Sequence, residues 1–576
     1  MGQECSTITV QQGDLCGSLA SRCGISTADF YTYNPGSTFC NTLQAGQLVC
    51  CSEGSLPNLR PEPNPDGTCA TYEVPPGEYC SLIASKFQLT VDEIETWNSN
   101  SWNWNGCGGL QRNAIICVSS GDPPMPAPID TAICGPQAPG TARPSDWSQL
   151  ATLNPCPLNA CCNTWGNCGI TPEFCTPPKS AGQVGCISNC GTEIAKSPSA
   201  PAEFLKVGYF QSYNLERPCL NMRADQIPSG YSHVHFSFGG ITDDFAVDLS
   251  DSMEQFELFV EQTGFKKILA FGGWSYSTGG EPLPIFRNTT NNADRLRFAR
   301  SVVATVEQYG LDGVDFDWEY PGAVDLGGSP TDGAQYLLLL RMVRQLLPAE
   351  KTVSLAAPAS FHYLQGFPIA EMSAVVDYIV YMAYDLHGQW DYGTDNQAGC
   401  PGGNCLRSHV NLTETDYALA MVTKAGVPSD KIVVGLASYG RSFKMADRNC
   451  RADPMCRYLG PDERGYVGRC TREPGIIALA ELEDIRAIEL EGTVFWYDEA
   501  SDSDMAQYMT DSWAAYMTET TKERRRARYQ GQNFGGSVDW AIDLTAFVPG
   551  DPGIRDKRAV AARGAASFMD RRAEQV

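Results

Sequence analysis

From about residue 204 onward, short apolar runs alternate with longer stretches in which apolar residues recur at helical spacing. Eight of the runs read as strands: Val207 to Tyr213, His233 to Phe238, Lys267 to Gly273, Gly313 to Trp318, Thr352 to Ala357, Tyr378 to Tyr384, Lys431 to Ser438 and Gly535 to Ala541. Strands alternating with helices between residues 204 and 548 predict a closed (β/α)8 barrel whose chemistry sits at the C-terminal strand ends. The stretch between the seventh and eighth runs is too long for one helix. It predicts a small α+β insertion at about residues 443–502, forming one wall of a cleft, and residues 549–576 read as a tail.

Ahead of the barrel the chain repeats itself. Cys5 to Cys16 reads CSTITVQQGDLC and Cys69 to Cys80 reads CATYEVPPGEYC; the match continues through Ile25 and Leu89, Phe30 and Ile94, Asn34 and Asn98. Each copy, 5–51 and 69–118, predicts a strand, a glycine turn, two short helices and a closing strand near Val49 or Ile116. Such a βααβ unit is too small to hold together without disulfides. The proline-rich and polar stretches at 52–67 and 119–130 read as extended linkers.

The 24 cysteines fall in even bunches: six before residue 52, four from Cys69 to Cys117, eight from Cys134 to Cys190 and six beyond. Even bunches suit separately closed domains in an oxidising compartment, so a secreted, extracellular or cell-wall location is expected. The opening lacks a signal-peptide pattern, as expected of a chain whose leader has been trimmed. A net charge of −25 and a pI near 4.6 disfavour nucleic acid and anionic lipid as partners. No run of 18 apolar residues reads as a membrane span. The basic stretch from Lys522 to Arg528 reads as a solvated helix face. The five histidines, His233 and His235 among them, lack metal-ligand spacing and read as packing residues; no metal or cofactor is expected. Asn288 and Asn411 begin glycosylation sequons.

Both repeats resemble LysM modules, which bind polymers of N-acetylglucosamine; Gly13-Asp14 and Asn34-Pro35 carry the resemblance in the first copy, and Gly77-Glu78 and Asn98-Ser99 depart from it in the second. The bunch at 134–190, with adjacent cysteines at 161 and 162, resembles the hevein-type chitin-binding module. That resemblance implies bridges Cys134–Cys162, Cys156–Cys168, Cys161–Cys175 and Cys186–Cys190, and a sugar platform of Trp165 and Phe174 beside Asn163, with Asn167 where a third aromatic would stand. An aromatic face beside a polar group suits a pyranose.

The chemistry concentrates in the fourth run, Gly310 to Gly322, reading GLDGVDFDWEYPG. Side chains alternate along a strand, so Asp315, Asp317 and Glu319 share one face and Val314, Phe316 and Trp318 the other. Three acids pointing into a barrel cannot all stay ionised, so protons are shared and at least one pKa is raised. Through Asp312, Asp315, Asp317 and Glu319 the segment matches the DxxDxDxE signature and resembles family 18 glycoside hydrolases, whose fold is a TIM barrel; the order of modules resembles fungal chitinases related to the yeast killer toxin chitinase subunit. The resemblance implies a retaining, substrate-assisted chitinase in which Glu319 is the acid, Asp317 orients the substrate acetamide, Asp315 stores a proton and Tyr384 binds the acetamide oxygen. It further implies substrate contacts from Asp312, Asp385, Met382, Tyr439, Arg441, Trp540, Trp274 and Tyr209. Where the family often has Ser-x-Gly-Gly on the third strand, this chain has Ala270-Phe271-Gly272-Gly273, so one hydroxyl near the buried acids is missing. Chitin and chitooligosaccharides are the expected partners of an expected monomer. A lectin or toxin-delivery subunit, or an N-glycan hydrolase on the same fold, are the alternatives; Glu319 favours an enzyme.

Overall fold

The computed structural model describes residues 3–178, 184–278, 292–395, 397–488 and 492–554. They form two compact units: one of Met1–Cys156 and Cys161–Gly191, the other of Pro157–Ala160 and Thr192 onward.

In the first unit each repeat is a βααβ unit. Strands Thr7–Thr9 and Leu48–Cys50 pair antiparallel around helices Cys16–Cys23 and Thr27–Tyr33; the second copy pairs Thr71–Glu73 with Ile115–Cys117 around Cys80–Phe87 and Val91–Asn98. The shared asparagine explains part of the repeat. Buried Asn34 donates to Phe30 O and Cys50 O and accepts from Cys50 N–H, and Asn98 makes the same three bonds with Ile94 and Cys117. One amide thus ties the second helix to the closing strand in both copies. Bridges Cys5–Cys50 and Cys16–Cys40 correspond to Cys69–Cys117 and Cys80–Cys107, and Cys23–Cys51 is added in the first copy. The first linker is not free: Gln88 donates to Pro57 O at 2.7 Å. The third bunch folds around a three-stranded sheet of Cys168–Gly169, Cys161–Asn163 and Cys186–Ser188, with the four bridges named above. Among the described residues no bridge leaves its bunch.

The second unit is the barrel. Its strands are β1 (Leu205–Gln211), β2 (His233–Ile241), β3 (Lys266–Gly272), β4 (Gly313–Asp317), β5 (Thr352–Pro358), β6 (Tyr378–Met382), β7 (Ile432–Ala437) and β8 (Gly536–Trp540). All neighbours are parallel and β1 closes on β2. Because helices cover the outside, strands such as β5 and β7 are buried along their whole length, which is why they read as unbroken apolar runs.

The insertion is larger than its expected 443–502. Its five-stranded antiparallel sheet runs from Tyr439–Lys444 to Ser512–Tyr516, in the order Ile476–Ala478, Tyr439–Lys444, Ser512–Tyr516, Ser503–Tyr508, Val494–Asp498. The closing hairpin turns at Met509 and Thr510, both at positive φ, without the glycine or asparagine that usually announces such a turn. Alternation puts Phe443, Met505 and Trp513 in one apolar cluster, and Ala506, Ala514 and Tyr516 in another with Leu479 and Leu482 of helix Leu479–Ile488.

The basic stretch is also corrected. It lies in helix Glu519–Gly531, and Lys522, Arg525 and Arg526 are buried. Arg526 places one nitrogen 2.8 Å from both oxygens of Asp539, Arg525 pairs with Asp502, and Lys522 reaches Ser438 Oγ at 2.8 Å. Spacing of three and four residues makes this the inner face, and its charges are met by buried carboxylates.

Candidate active site

Strand β4 delivers the acids. Its outward Phe316 stacks on Phe271, and Trp318 just beyond packs edge-on against Tyr336, which turns Asp315, Asp317 and Glu319 toward the barrel mouth. Asp315 is fully buried and surrounded by donors: Tyr209 Oη to Oδ2 at 2.7 Å, Ser354 Oγ to Oδ1 at 2.6 Å, and His235 Nδ1 at 3.4 Å from Oδ2. Burial works against its charge, but His235, Ser354 and Tyr209 hold its carboxyl below the ordinary value. Asp315 was expected to store a proton; this donor set suits the anion instead. Asp317 is the opposite case. It is buried, its Oδ1 has no hydrogen-bond partner, and burial together with the charges of Glu319 and Asp315 pushes its carboxyl well up. Burial, opposed by a hydrogen bond from Tyr320 and assisted by Asp385, pushes Glu319 up to about 7. Its backbone N–H donates to Ser277 Oγ at 3.0 Å.

Tyr384 follows β6 and is nearly buried against Tyr439; a Cβ on Gly435 of β7 would come within 2.7 Å of its ring. Asp385 stands next to it at φ +56°. Its carboxylate accepts from Tyr439 Oη and from two nitrogens of Arg441, Nε at 2.8 Å, with His409 Nδ1 at 3.4 Å. Burial opposes the charge, but Arg441 and then His409 hold the Asp385 carboxyl far below the usual range. Trp540, ending β8, lies beside Tyr209 and stacks on Phe238. The acids, Tyr384, the Asp385–Arg441 pair and Trp540 thus stand at the C-terminal strand ends.

The profile of glycosyl hydrolases family 18 matches residues 206–544. The chain belongs to this family. The LysM domain profile matches residues 8–51 and 72–103, so this family 18 chain carries two LysM modules ahead of its barrel. It is 46% identical to the secreted chitinase LysM12 of Penicillium expansum, over 96% of this chain and 38% of that protein. It is 35% identical to the killer toxin subunits alpha/beta of Kluyveromyces lactis, over 94% of this chain and 45% of that protein. The chain therefore spans less than half the length of these relatives. Among solved structures, a group IV chitinase of Ostrinia furnacalis solved with allosamidin aligns at TM-score 0.52 and 23% identity, over 59% of this chain and 93% of that one, a likeness of fold.

Within the family 18 barrel, Tyr384 packs on Tyr439, Tyr439 and Arg441 hold Asp385, Trp540 lies beside Tyr209, and Met382 ends β6 in register with Pro358 of β5. Trp274 is half exposed, with its ring 6.5 Å from that of Tyr320. Two expected sugar contacts are placed elsewhere. Asp312 precedes β4 at the far end of the strand, where it accepts from the Lys267 N–H at 2.8 Å; five residues at about 3.3 Å each separate it from Asp317. Tyr209 is buried and its hydroxyl is taken by Asp315. In the cysteine knot Trp165 is exposed and Phe174 packs on Gly169, and buried Asn163 accepts with its side-chain oxygen from the N–H groups of Trp165 and Asn167, which shapes the turn.

His235, read from the sequence as a packing residue, instead faces Asp315 and Tyr378; Ser354 and Tyr378 inside the barrel, Ser277 and Tyr320 around Glu319, and Trp390, over which the Arg441 guanidinium lies at 4.7 Å, carry no sequence expectation. Period-two polar positions on the strands were the available signal: His233 and His235 on β2 alternate with buried Val234 and Phe236. Of the sequons, Asn288 lies outside the described residues, and Asn411 caps helix Leu412–Lys424 through its side-chain oxygen.

Proposed function

We propose that this chain is a secreted chitinase that cleaves β-1,4-linked N-acetylglucosamine polymers with retention, by substrate-assisted catalysis. The observation that carries the reading is the Asp317 and Glu319 pair: two neighbouring acids pushed up together, Glu319 to about 7, chiefly by burial, and Asp317 by burial and the charges of Glu319 and Asp315. Protonated Glu319 gives its proton to the glycosidic oxygen while the acetamide oxygen of the same sugar attacks the anomeric carbon and the leaving group departs. Asp317 orients the acetamide by accepting from its N–H, the Glu319 carboxylate left by proton transfer balances the oxazolinium charge, and Tyr384 donates to the acetamide oxygen. Glu319, now anionic, takes a proton from the water that opens the ring and restores the configuration. Asp385, held by Arg441, grips the bound sugar, and Trp540 forms its floor.

The two LysM modules, with the knot at 134–190 presenting Trp165, anchor the enzyme on insoluble polymer, where several weak contacts raise local concentration. The test is release of N-acetylglucosamine oligomers from chitin by the full chain beside its Glu319→Gln variant. Release lost in the variant, with both proteins still retained on chitin, supports the reading. A wild type that is retained on chitin and releases nothing at any pH overturns it in favour of a lectin.

A further inference from the structure

We propose that His235 is a positioning residue of the reaction: from β2 it keeps Asp315 ionised, in place of a hydroxyl on β3, and thereby leaves the movable proton of the acid cluster on Asp317. The proposal rests on the chitinase reading above. Strand β3 offers Asp315 nothing polar, since its residue in register with Asp315 is Ala270, which pairs on its other side with Ser237. One strand further, His235 is in register with Tyr209 and completely buried, its ring 4.7 Å from that of Tyr209.

The carboxylate opposite Nδ1 is what places the imidazole proton. Nε2 lies 2.7 Å from the Tyr378 hydroxyl, while Nδ1 has no hydrogen-bond partner and faces Asp315 Oδ2 at 3.4 Å. A lone pair on Nδ1 would point at a carboxylate in a fully buried site, where repulsion is poorly screened. With Tyr378 donating to Nε2, the N–H falls on Nδ1 and points at Oδ2. Asp315 is then met by two hydroxyl donors and, at 3.4 Å, by the imidazole N–H, a set that suits an anion.

The other groups packed around the pair supply no positive charge. Tyr209 comes from β1, His233 and Ser237 from β2, Ala270 from β3, Asp317 from β4, Ser354 from β5 and Tyr378 from β6; Tyr384 and, from helix Asp332–Leu346, Tyr336 complete the surround. Burial pushes His233 down to about 3, so it is neutral, and burial and Asp315 push the Tyr209, Tyr336 and Tyr378 phenols up, so they remain neutral donors. With Asp315 negative behind it, Asp317 keeps its proton on the side of Glu319 and the sugar.

Two substitutions separate this role from packing. His235→Gln places an amide near the Nε2 position and can still meet Tyr378, whereas His235→Asn places an amide nitrogen near the Nδ1 position. In chitooligosaccharide hydrolysis, His235→Gln is expected to lower kcat about tenfold or more with KM changed less than about threefold. Its acid limb in the kcat profile moves to higher pH, because Asp315 takes up a proton more easily, and His235→Asn returns the limb toward the wild type. Equal losses in both variants with an unmoved acid limb overturn the proposal. An infrared titration of protonated carboxyl groups needs no turnover: His235→Gln should show one more protonated buried carboxyl than the wild type in the pH range where wild-type Asp315 is charged. Identical spectra overturn the role of His235 even if the wild type proves to release no sugar, which would overturn the chitinase reading alone.

Discussion

Arg441 grips both oxygens of the Asp385 carboxylate, and that carboxylate in turn helps to raise Glu319. The ion pair is therefore a control on the acid as well as a wall of the cleft. Removing the negative charge with Asp385→Asn should lower the Glu319 pKa, so the alkaline limb of kcat/KM, near 7 in the wild type, moves to lower pH. Arg441→Met leaves Asp385 uncompensated and should move the limb the other way. A pH profile of chitooligosaccharide hydrolysis reads both, and limbs that move together in one direction contradict the coupling.

Glu319→Gln removes the proton donor and should reduce kcat on chitooligosaccharides by roughly 10²–10⁴-fold. Retention on chitin should be unchanged, because the LysM modules lie outside the barrel sequence. A residual rate within about tenfold of the wild type would assign the acid to another group.

Gly435 makes room for Tyr384. Its absent Cβ would lie 2.7 Å from the Tyr384 ring and 2.9 Å from the Tyr381 carbonyl oxygen. Gly435→Ala should cost ~1–3 kcal/mol in urea unfolding and lower kcat through a displaced Tyr384. Unchanged stability and rate would mean the ring moves aside at no cost.

Asn98→Ala strips the second module of the side chain that meets the Ile94 carbonyl and the Cys117 backbone. Leaving buried backbone groups unpaired costs ~1–3 kcal/mol each, so the 69–118 segment should become the first site of limited proteolysis in the full chain. Asn34→Ala should do the same to 5–51, and intact modules in both variants would show the asparagines to be dispensable.

His387 lies buried between carboxylates, Nδ1 2.8 Å from Asp391 and Nε2 2.8 Å from Glu414. Burial opposes its charge, but the two hydrogen bonds push it up to about 9 from an ordinary 6.5. A raised cation contributes stability that is fully present below pH 6.5 and lost as pH climbs through about 9. Urea titrations should therefore show a decline on the order of 3 kcal/mol across that window, absent in His387→Gln. An equal decline in the variant would place its origin elsewhere.

The sequence alone determined the barrel, the repeats and the acid triplet, because each is written in local periodicity. Parallel strands covered on both faces are continuous apolar runs, the βααβ copies share cysteines and one structural asparagine, and alternation puts Asp315, Asp317 and Glu319 on one face of β4. Only the tertiary structure decided what those acids meet. Whether a tyrosine such as Tyr209 faces sugar or a neighbouring acid, whether His235 is packing or a partner of Asp315, and whether Lys522, Arg525 and Arg526 face water or Asp502 and Asp539 depends on strands and helices far apart in the chain. Local pattern reports which side of an element is buried. It does not report the charge of what lies opposite, and it is that opposing charge that fixes where the protons of the site reside.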